Sequence, residues 1–272
     1  MKKDIKMIGL DLDGTTLVGH TTITPRVKQA IETALRQGIV VLPATGRQYG
    51  GLPQPVLDIQ GIEYALTSNG AKIYNLPPMQ EIYSDCFEKQ TALELYDILS
   101  SYHALMGIYI DGKGYDRHVE EMEGSIILPE LVEYIKATRV FVPDMEQLIR
   151  ESNKPVEKFT LMFHQWADLE HARGRLAQRS DNYVSSGIAN GLEVNTPTAN
   201  KGRGLLMLAE KLGIRKDQVM AIGDSSNDIE MLKAVGYGVA MGNATAEVKA
   251  VADTITLPCE QDGVAAAIEA IL

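Results

Sequence analysis

Apolar and polar positions along the 272-residue chain fall into two rhythms. The first third opens with Met7-Ile8-Gly9-Leu10, a short apolar run of the kind that forms a strand buried on both faces. Thr24 and Pro25 then supply an N-cap and a first-turn proline. Val27, Ala30, Ile31, Ala34 and Leu35 recur at helical spacing, and Gly38 provides the stop. Two more strand-like runs follow, Ile39-Val40-Val41-Leu42 and Tyr64-Ala65-Leu66. The last third resumes this style, with a helical pattern over 201–212, strand-like runs at 219–222 and 237–241, and a helix rich in alanine, glutamate and valine after Asn243. Strands alternating with helices predict an α/β fold, doubly wound around a mostly parallel sheet.

The middle of the chain differs. A helical stretch covers 88–101, and a strand at 106–111 runs into the hairpin signal Gly112-Lys113-Gly114. A strand at 159–163 and a helix at 167–179 follow, and Asn190-Gly191 between strand-like flanks predicts a type I′ turn. The expected organisation is a core split in sequence, 1–82 with 191–272, around an inserted α/β domain at 83–190 built on an antiparallel sheet. There is no internal repeat and no low-complexity tract.

Composition narrows the setting. Hydrophobic content of 45% and charged content of 23% are those of a globular protein. A net charge of -10 argues against a nucleic-acid or anionic-membrane partner. It leaves room for an anionic substrate, because a bound cation reverses the field of a pocket. The amino-terminal apolar run is too short for a signal peptide, and no stretch reaches the roughly 20 apolar residues of a membrane span. Cys86 and Cys259 form no CxxC pair and read as buried thiols in a reducing cytoplasm. A cytoplasmic monomer or small homo-oligomer is expected.

The chemistry lies where the strands end. Asp11 and Asp13, then Thr45-Gly46-Arg47, Ser68-Asn69, and Asp224 with Asn227 and Asp228 each follow an apolar run. In open α/β sheets ligands bind beyond the carboxyl ends of the strands, so these groups are expected to meet in one crevice. Carboxylates gathered there repel: two unit charges about 4 Å apart cost about 1 kcal/mol in water and about 4 at an effective dielectric of 20. A hard divalent cation relieves this, and all-oxygen donors favour magnesium over zinc. The five histidines show no HExxH spacing.

The same cation lets a carboxylate approach phosphorus, and aspartate can carry a phosphoryl group as a covalent intermediate. Asp11 is the candidate nucleophile. Asp13 is the candidate acid for the leaving alcohol and base for water. Thr45, backbone amides near Asn69, and Lys201 are candidates to stabilise the transferred group.

Competing readings are weighed on the same residues. DxDG also opens calcium loops, but Thr16 and Thr22 stand where an EF-hand needs glycine and glutamate. Gly236, Gly238 and Gly242 lack the GxGxxG spacing, and no GK[ST] occurs. Taken alone, Lys201 reads as a solvated helix-start lysine. Arg47 reads equally as a phosphate anchor or as the partner of an acidic neighbour. His164, Trp166 and His171 read as packing or surface.

Taken together, the motifs resemble those of the haloacid dehalogenase-like superfamily, and within it the Cof-type phosphatases with a large α/β cap. DLDGTTL at 11–17, ATGR at 44–47, SNGA at 68–71, NKGRGL at 200–205 and GDSSNDIEML at 223–232 carry the resemblance, with AMGNA at 240–244 and QDGVAAAI at 261–268. It implies a Rossmann-like core with an inserted cap, and a magnesium-dependent phosphomonoesterase acting on a small phosphorylated metabolite such as a sugar phosphate. It also implies site roles. Asp11 is the nucleophile, Asp13 the acid/base and Lys201 the third-motif lysine. Thr45, Gly46, Arg47, Asn69 and Asn227 bind phosphate. Metal is held by the carboxylates of Asp11 and Asp224 and the backbone carbonyl of Asp13, with Asp228 in support.

A sugar phosphomutase is the nearest alternative. A signalling domain that accepts phosphate without turnover is the alternative from another class, although such domains lack the second carboxylate and the large insert. Two departures stand out. Thr16 replaces a common leucine, with an expected effect on packing. Thr198-Ala199-Asn200 replaces a common glycine before Lys201, with an expected loosening of that lysine's approach.

Overall fold

In the computed structural model, which describes residues 3–77, 79–117, 129–188 and 190–272, β1 (Met7–Leu10) is buried at every position. The chain continues through α1 (Pro25–Arg36), β2 (Val40–Pro43), the single turn α2 (Gln54–Leu57), β3 (Tyr64–Thr67), β4 (Lys72–Asn75) and β5 (Gln80–Ser84). Next come α3 (Lys89–Leu99), β6 (Ala104–Ile110), β7 (Lys113–Asp116), α4 (Pro129–Thr138), β8 (Arg139–Phe141) and α5 (Met145–Glu151). They are followed by β9 (Val156–Phe163), α6 (Trp166–Leu176), β10 (Tyr183–Ser185) and β11 (Gly191–Asn195). The chain ends with α7 (Lys201–Lys211), β12 (Val219–Gly223), α8 (Ile229–Ala234), β13 (Tyr237–Ala240), α9 (Ala246–Val251), β14 (Thr254–Ile255) and α10 (Gly263–Glu269).

These elements form two compact units. One comprises Met1–Arg47, Leu52–Ser84 and Asn200–Leu272, and the other Gln48–Gly51 and Asp85–Ala199.

The first unit is built on a five-stranded parallel sheet in the order β14-β13-β12-β1-β2. Central position and neighbours on both sides explain why β1 is apolar throughout. The Thr24 hydroxyl accepts the amide hydrogen of Val27 (3.2 Å) to cap α1, which buries Val27, Ala30, Ile31 and Ala34. The third apolar run, Tyr64-Ala65-Leu66, is indeed a strand, but it does not extend the wound sheet in the expected way. It meets β2 at the parallel bridge Ala44–Leu66, then turns back as the antiparallel meander β3-β4-β5. The cause is local: Ser68, Asn69 and Gly70 take φ of 51°, 58° and 94°, and these successive left-handed residues reverse the chain.

The second unit carries a six-stranded sheet in the order β10-β11-β9-β6-β7-β8, antiparallel except for the β7–β8 pair. Period-two alternation sends Ile108, Ile110, Phe159, Leu161, Phe163, Leu192 and Val194 into one apolar core with α3, α5 and α6. The turn falls one residue before the hairpin signal: it is Asp111-Gly112, with φ of 52° and 71°, and Lys113 already belongs to β7. No type I′ turn forms at Asn190-Gly191. Gly191 opens β11 opposite Met162, and its φ is not left-handed. Because β11 hydrogen-bonds to β9, residues 191–195 belong to this unit.

Cys86 is half-buried and Cys259 buried, and among the described residues neither forms a disulfide. Among the described residues no helix is long and apolar enough to cross a membrane.

Candidate active site

The site grows from the end of β1. The Asp11 amide still donates to Ile222 O (3.0 Å), so the residue sits in the sheet, while Gly14 (φ +74°) turns the chain away. A Cβ on Gly14 would lie 2.7 Å from Asp224 Oδ2, so only glycine lets this turn pass so close to that carboxylate. The next residues tie the turn down. Thr15 Oγ1 donates to Asp224 Oδ1 (2.6 Å), and Thr16 Oγ1 donates to the Asp11 carbonyl (2.5 Å). Thr16 is buried, and it anchors the backbone of the nucleophile candidate as well as filling space.

Lys201 enters from the first residue of α7 and is fully buried. The reading of a solvated helix-start lysine is therefore set aside. Its Nζ donates to Asp11 Oδ1 (2.5 Å) and Asp228 Oδ1 (2.6 Å). The departure before it does not loosen its approach. Asn200 Oδ1 caps α7 by accepting the Arg203 amide hydrogen (2.9 Å), and the Asn200 carbonyl packs so closely on Gly70 that a Cβ there would lie 2.4 Å from it.

Asp228 is held by more than Lys201, because its Oδ2 accepts the amides of Asp224 (2.9 Å) and Ser225 (3.0 Å). Asp11, Asp224 and Asp228 each offer an oxygen within 4.8 Å of the others. Burial, then the charge of Asp228, raise Asp11 well above the ordinary carboxylate range and Asp224 to about 6. Burial alone would lower Lys201, but Asp11 and Asp228 outweigh it and raise its pKa. Three carboxylates against one ammonium leave a formal deficit of two charges. An all-oxygen donor set short by that amount fits a hard divalent cation.

Asp13 is not in this group. Its carboxylate turns to Arg47, with Nε donating to Oδ2 (2.8 Å) and Nη2 to Oδ1 (2.5 Å), and His20 Nδ1 lies 2.7 Å from Oδ1. Of the four carboxylates expected in one crevice, three draw together here, and the fourth is held apart from them by a bidentate arginine. Burial opposes ionisation of Asp13, but the bonds from Arg47 and His20 hold its carboxyl well below the usual range. For Arg47, the reading as partner of an acidic neighbour is the one the geometry supports.

The remaining predicted residues converge. Thr45 is buried, its hydroxyl accepts the Arg47 amide hydrogen (3.1 Å), and its carbonyl accepts the amide of Asn69 (3.0 Å). Gly46 lies in the same turn. Asn227 Nδ2 donates to Asn69 Oδ1 (3.3 Å), which links the segment after β12 to the turn after β3. The sequence reading missed Thr15, Ser225 and His20. Thr15 had a signal in its place beside the acidic pair, whereas His20 had none. In the second unit, His103 and His164 stack (4.7 Å), His171 pairs with Tyr102 and Trp166 is exposed, as packing or surface roles require.

Comparison with known proteins agrees with this geometry. Residues 8–268 match the haloacid dehalogenase-like hydrolase family. The chain is 28% identical to the phosphatase YwpJ of Bacillus subtilis, over 96% of this chain and 98% of that one. It is 28% identical to the 5-amino-6-(5-phospho-D-ribitylamino)uracil phosphatase YcsE of the same organism, over 97% and 95%. The solved structure of a haloacid dehalogenase-like hydrolase from B. subtilis superposes with a TM-score of 0.87 at 26% identity, covering 98% of this chain and all of that one. A buried acidic pocket at the strand ends, in a chain matched along nearly its whole length, leads to one conclusion: it belongs to the haloacid dehalogenase-like hydrolases and is a phosphatase of that superfamily.

Proposed function

We propose that the chain is a magnesium-dependent phosphomonoesterase that hydrolyses a small phosphorylated metabolite through an aspartyl-phosphate on Asp11. The observation that carries this reading is the Lys201 ammonium bonded to both Asp11 and Asp228 beside Asp224, a buried pocket two charges short of neutrality. Asp11, Asp224 and the backbone carbonyl of Asp13 would hold the ion, with Asp228 in support. When bound, magnesium would lower the repulsion between carboxylate and phosphoryl oxygens.

The chain's own residues divide the remaining work. Lys201 fixes the orientation of Asp11 and offers positive charge to the developing transition state. Asp13 rests ionised, so it takes up the acidic proton of a phosphate monoester monoanion as substrate binds. Asp11 then attacks phosphorus while the ester bond breaks, and the leaving oxygen takes that proton from Asp13. Water then gives a proton to Asp13 as it attacks the phosphoryl group, which frees Asp11. Thr45, Gly46, Asn69 and Asn227 surround the phosphoryl oxygens with hydroxyl, amide and carboxamide groups. Arg47 serves this site through Asp13.

The second unit acts as the cap that excludes water and selects the leaving group. A relative that dephosphorylates a ribityl phosphate supports a phosphorylated polyol or sugar as the substrate class. Cysteines outside any disulfide, Cys86 and Cys259, support a reducing cytoplasm as the setting.

The test is covalent trapping. Asp13→Asn mixed with p-nitrophenyl phosphate and quenched rapidly should carry one phosphoryl group on the peptide containing Asp11. Asp11→Asn should carry none and lose about 10⁴-fold or more in kcat. Wild-type turnover by a folded Asp11→Asn protein would end this reading.

A further inference from the structure

The turn that follows the first motif holds a side chain that the mechanism above leaves unused. Val18 and Thr22 pair through Val18 N to Thr22 O (2.8 Å) and Thr22 N to Val18 O (3.2 Å), and Gly19-His20-Thr21 spans the gap. Gly19 and His20 both take left-handed φ, 58° and 66°. For a residue with a Cβ this backbone is strained, and it persists only where neighbours hold it. Here the neighbours are the two halves of one ion pair. The His20 carbonyl accepts a hydrogen bond from Arg47 Nη2 (2.7 Å), and the His20 imidazole meets Asp13 Oδ1 (2.7 Å).

These contacts divide the oxygens of Asp13 unequally. Oδ1 accepts from Arg47 Nη2 and faces His20 Nδ1, whereas Oδ2 accepts from Arg47 Nε. A carboxylate oxygen has two lone-pair sites, so Oδ1 is filled and Oδ2 keeps one open. Oδ1 is an acceptor whether the carboxyl is ionised or holds a proton on Oδ2, so Nδ1 is the ring nitrogen that carries hydrogen.

We propose that His20 is a positioning residue: by saturating Oδ1 it fixes the rotation of the Asp13 carboxylate and leaves Oδ2 as the oxygen that exchanges the proton with leaving group and water. The inference rests on the acid/base role proposed for Asp13. In the first step the proton leaves Oδ2 for the ester oxygen as that oxygen departs from phosphorus and Asp11 bonds to it. In the second, water returns a proton to Oδ2 as its oxygen replaces Asp11 on phosphorus. Without His20 the carboxylate can rotate on its arginine fork, and proton transfer loses its fixed geometry.

The experiment compares kcat/KM, which reports steps through the first phosphoryl transfer, for two esters. β-Glycerophosphate has a poor leaving group that needs the acid. p-Nitrophenyl phosphate has a good one that needs it little. His20→Gly keeps the left-handed turn and its carbonyl and removes only the imidazole. We expect its loss on β-glycerophosphate to exceed its loss on p-nitrophenyl phosphate by about tenfold. His20→Asn, which tolerates left-handed φ and restores a donor, should recover most of the difference. His20→Asp keeps the turn but sets an acceptor against Oδ1, and it should repeat the ester-selective loss. Equal losses on both esters, or no loss on either, would overturn the inference. An ester-selective loss in Asp13→Asn without one in the His20 variants would overturn it alone. Equal losses in Asp13→Asn would overturn the acid role beneath it.

Discussion

Each unit of this chain holds a buried ionic cluster, and the two are balanced differently. In the first, among the described residues, Asp11, Asp224 and Asp228 gather with one ammonium, that of Lys201. In the second, among the described residues, Arg139 and Lys158 are matched by Asp116 and Glu193 on one face of the six-stranded sheet. Arg139 donates to the Tyr109 hydroxyl (2.5 Å) and lies 3.7 Å from Asp116, while Lys158 pairs with Glu193 and its Nζ sits over the Tyr109 ring.

Perturbed acidity does not distinguish the clusters. Burial raises Asp116 to about 6, as it does Asp224, and pushes Tyr109 to about 12. What distinguishes them is the charge deficit. Among the described residues the second cluster is matched in formal charge, although Asp116 Oδ2 and Arg139 Nε and Nη1 are buried without a hydrogen bond. The first stays two charges short and could hold a divalent cation. Strongly shifted acidity does not by itself mark a functional site, because structural ion-pair networks shift it too.

The largest expected contrast comes from removing one cation in each cluster. Lys201→Met leaves Asp11 and Asp228 buried together and should cost about 3–5 kcal/mol in denaturant unfolding of the metal-free protein, with part recovered by added divalent ion. A cost below that of an average surface substitution would mean the pocket is not short of positive charge.

A smaller effect follows from pH. A carboxyl whose pKa folding has raised binds protons more tightly in the folded chain. Its stabilising contribution is complete below the unfolded value of about 4 and is lost as pH rises. For Asp224, raised to about 6, that loss is about 3 kcal/mol between pH 4 and pH 7 in chelator. Asp13 has the opposite sign, and its contribution fades only as pH falls below about 4. Urea unfolding across this range should show the decline. Asp224→Asn should remove its share, and the share of Asp116 should remain. Stability that rises over the same range without metal would contradict the assignment.

The smallest effect belongs to the balanced cluster. Replacing Lys158 and Glu193 together by Met and Leu should leave unfolding free energy within about 1 kcal/mol, whereas Lys158→Met alone should cost about 3. A double variant as damaged as the single one would show that this network also does more than fill the sheet face.

Legibility in the sequence tracked burial. Asp11, Asp224 and Asp228 were found because each lies just beyond a run buried on both faces, the place where open α/β sheets bind ligands, which tipped the balance against an ordinary turn or capping loop. Lys201 was placed by the ensemble of motifs and not by its own surroundings. The meander was hidden because Lys72-Ile73-Tyr74-Asn75 and Gln80–Ser84 mix polar and apolar residues without a clear period. The second cluster was invisible for a related reason. Tyr109, Asp116, Arg139, Lys158 and Glu193 lie on five strands, and alternation cannot separate a polar face that meets solvent from one buried on itself. The Asp13–Arg47 pair and its contact with His20 depend on rotamers and on a left-handed turn, neither of which composition encodes.

The most direct test of the charge deficit is turnover of p-nitrophenyl phosphate by protein stripped with a chelator, followed through a magnesium titration together with the unfolding temperature. We expect no turnover in chelator, and then activity and stability rising together to saturation at one ion per chain. Full turnover in chelator, or activity that returns with no change in stability, would contradict the claim that this pocket is completed by a divalent cation.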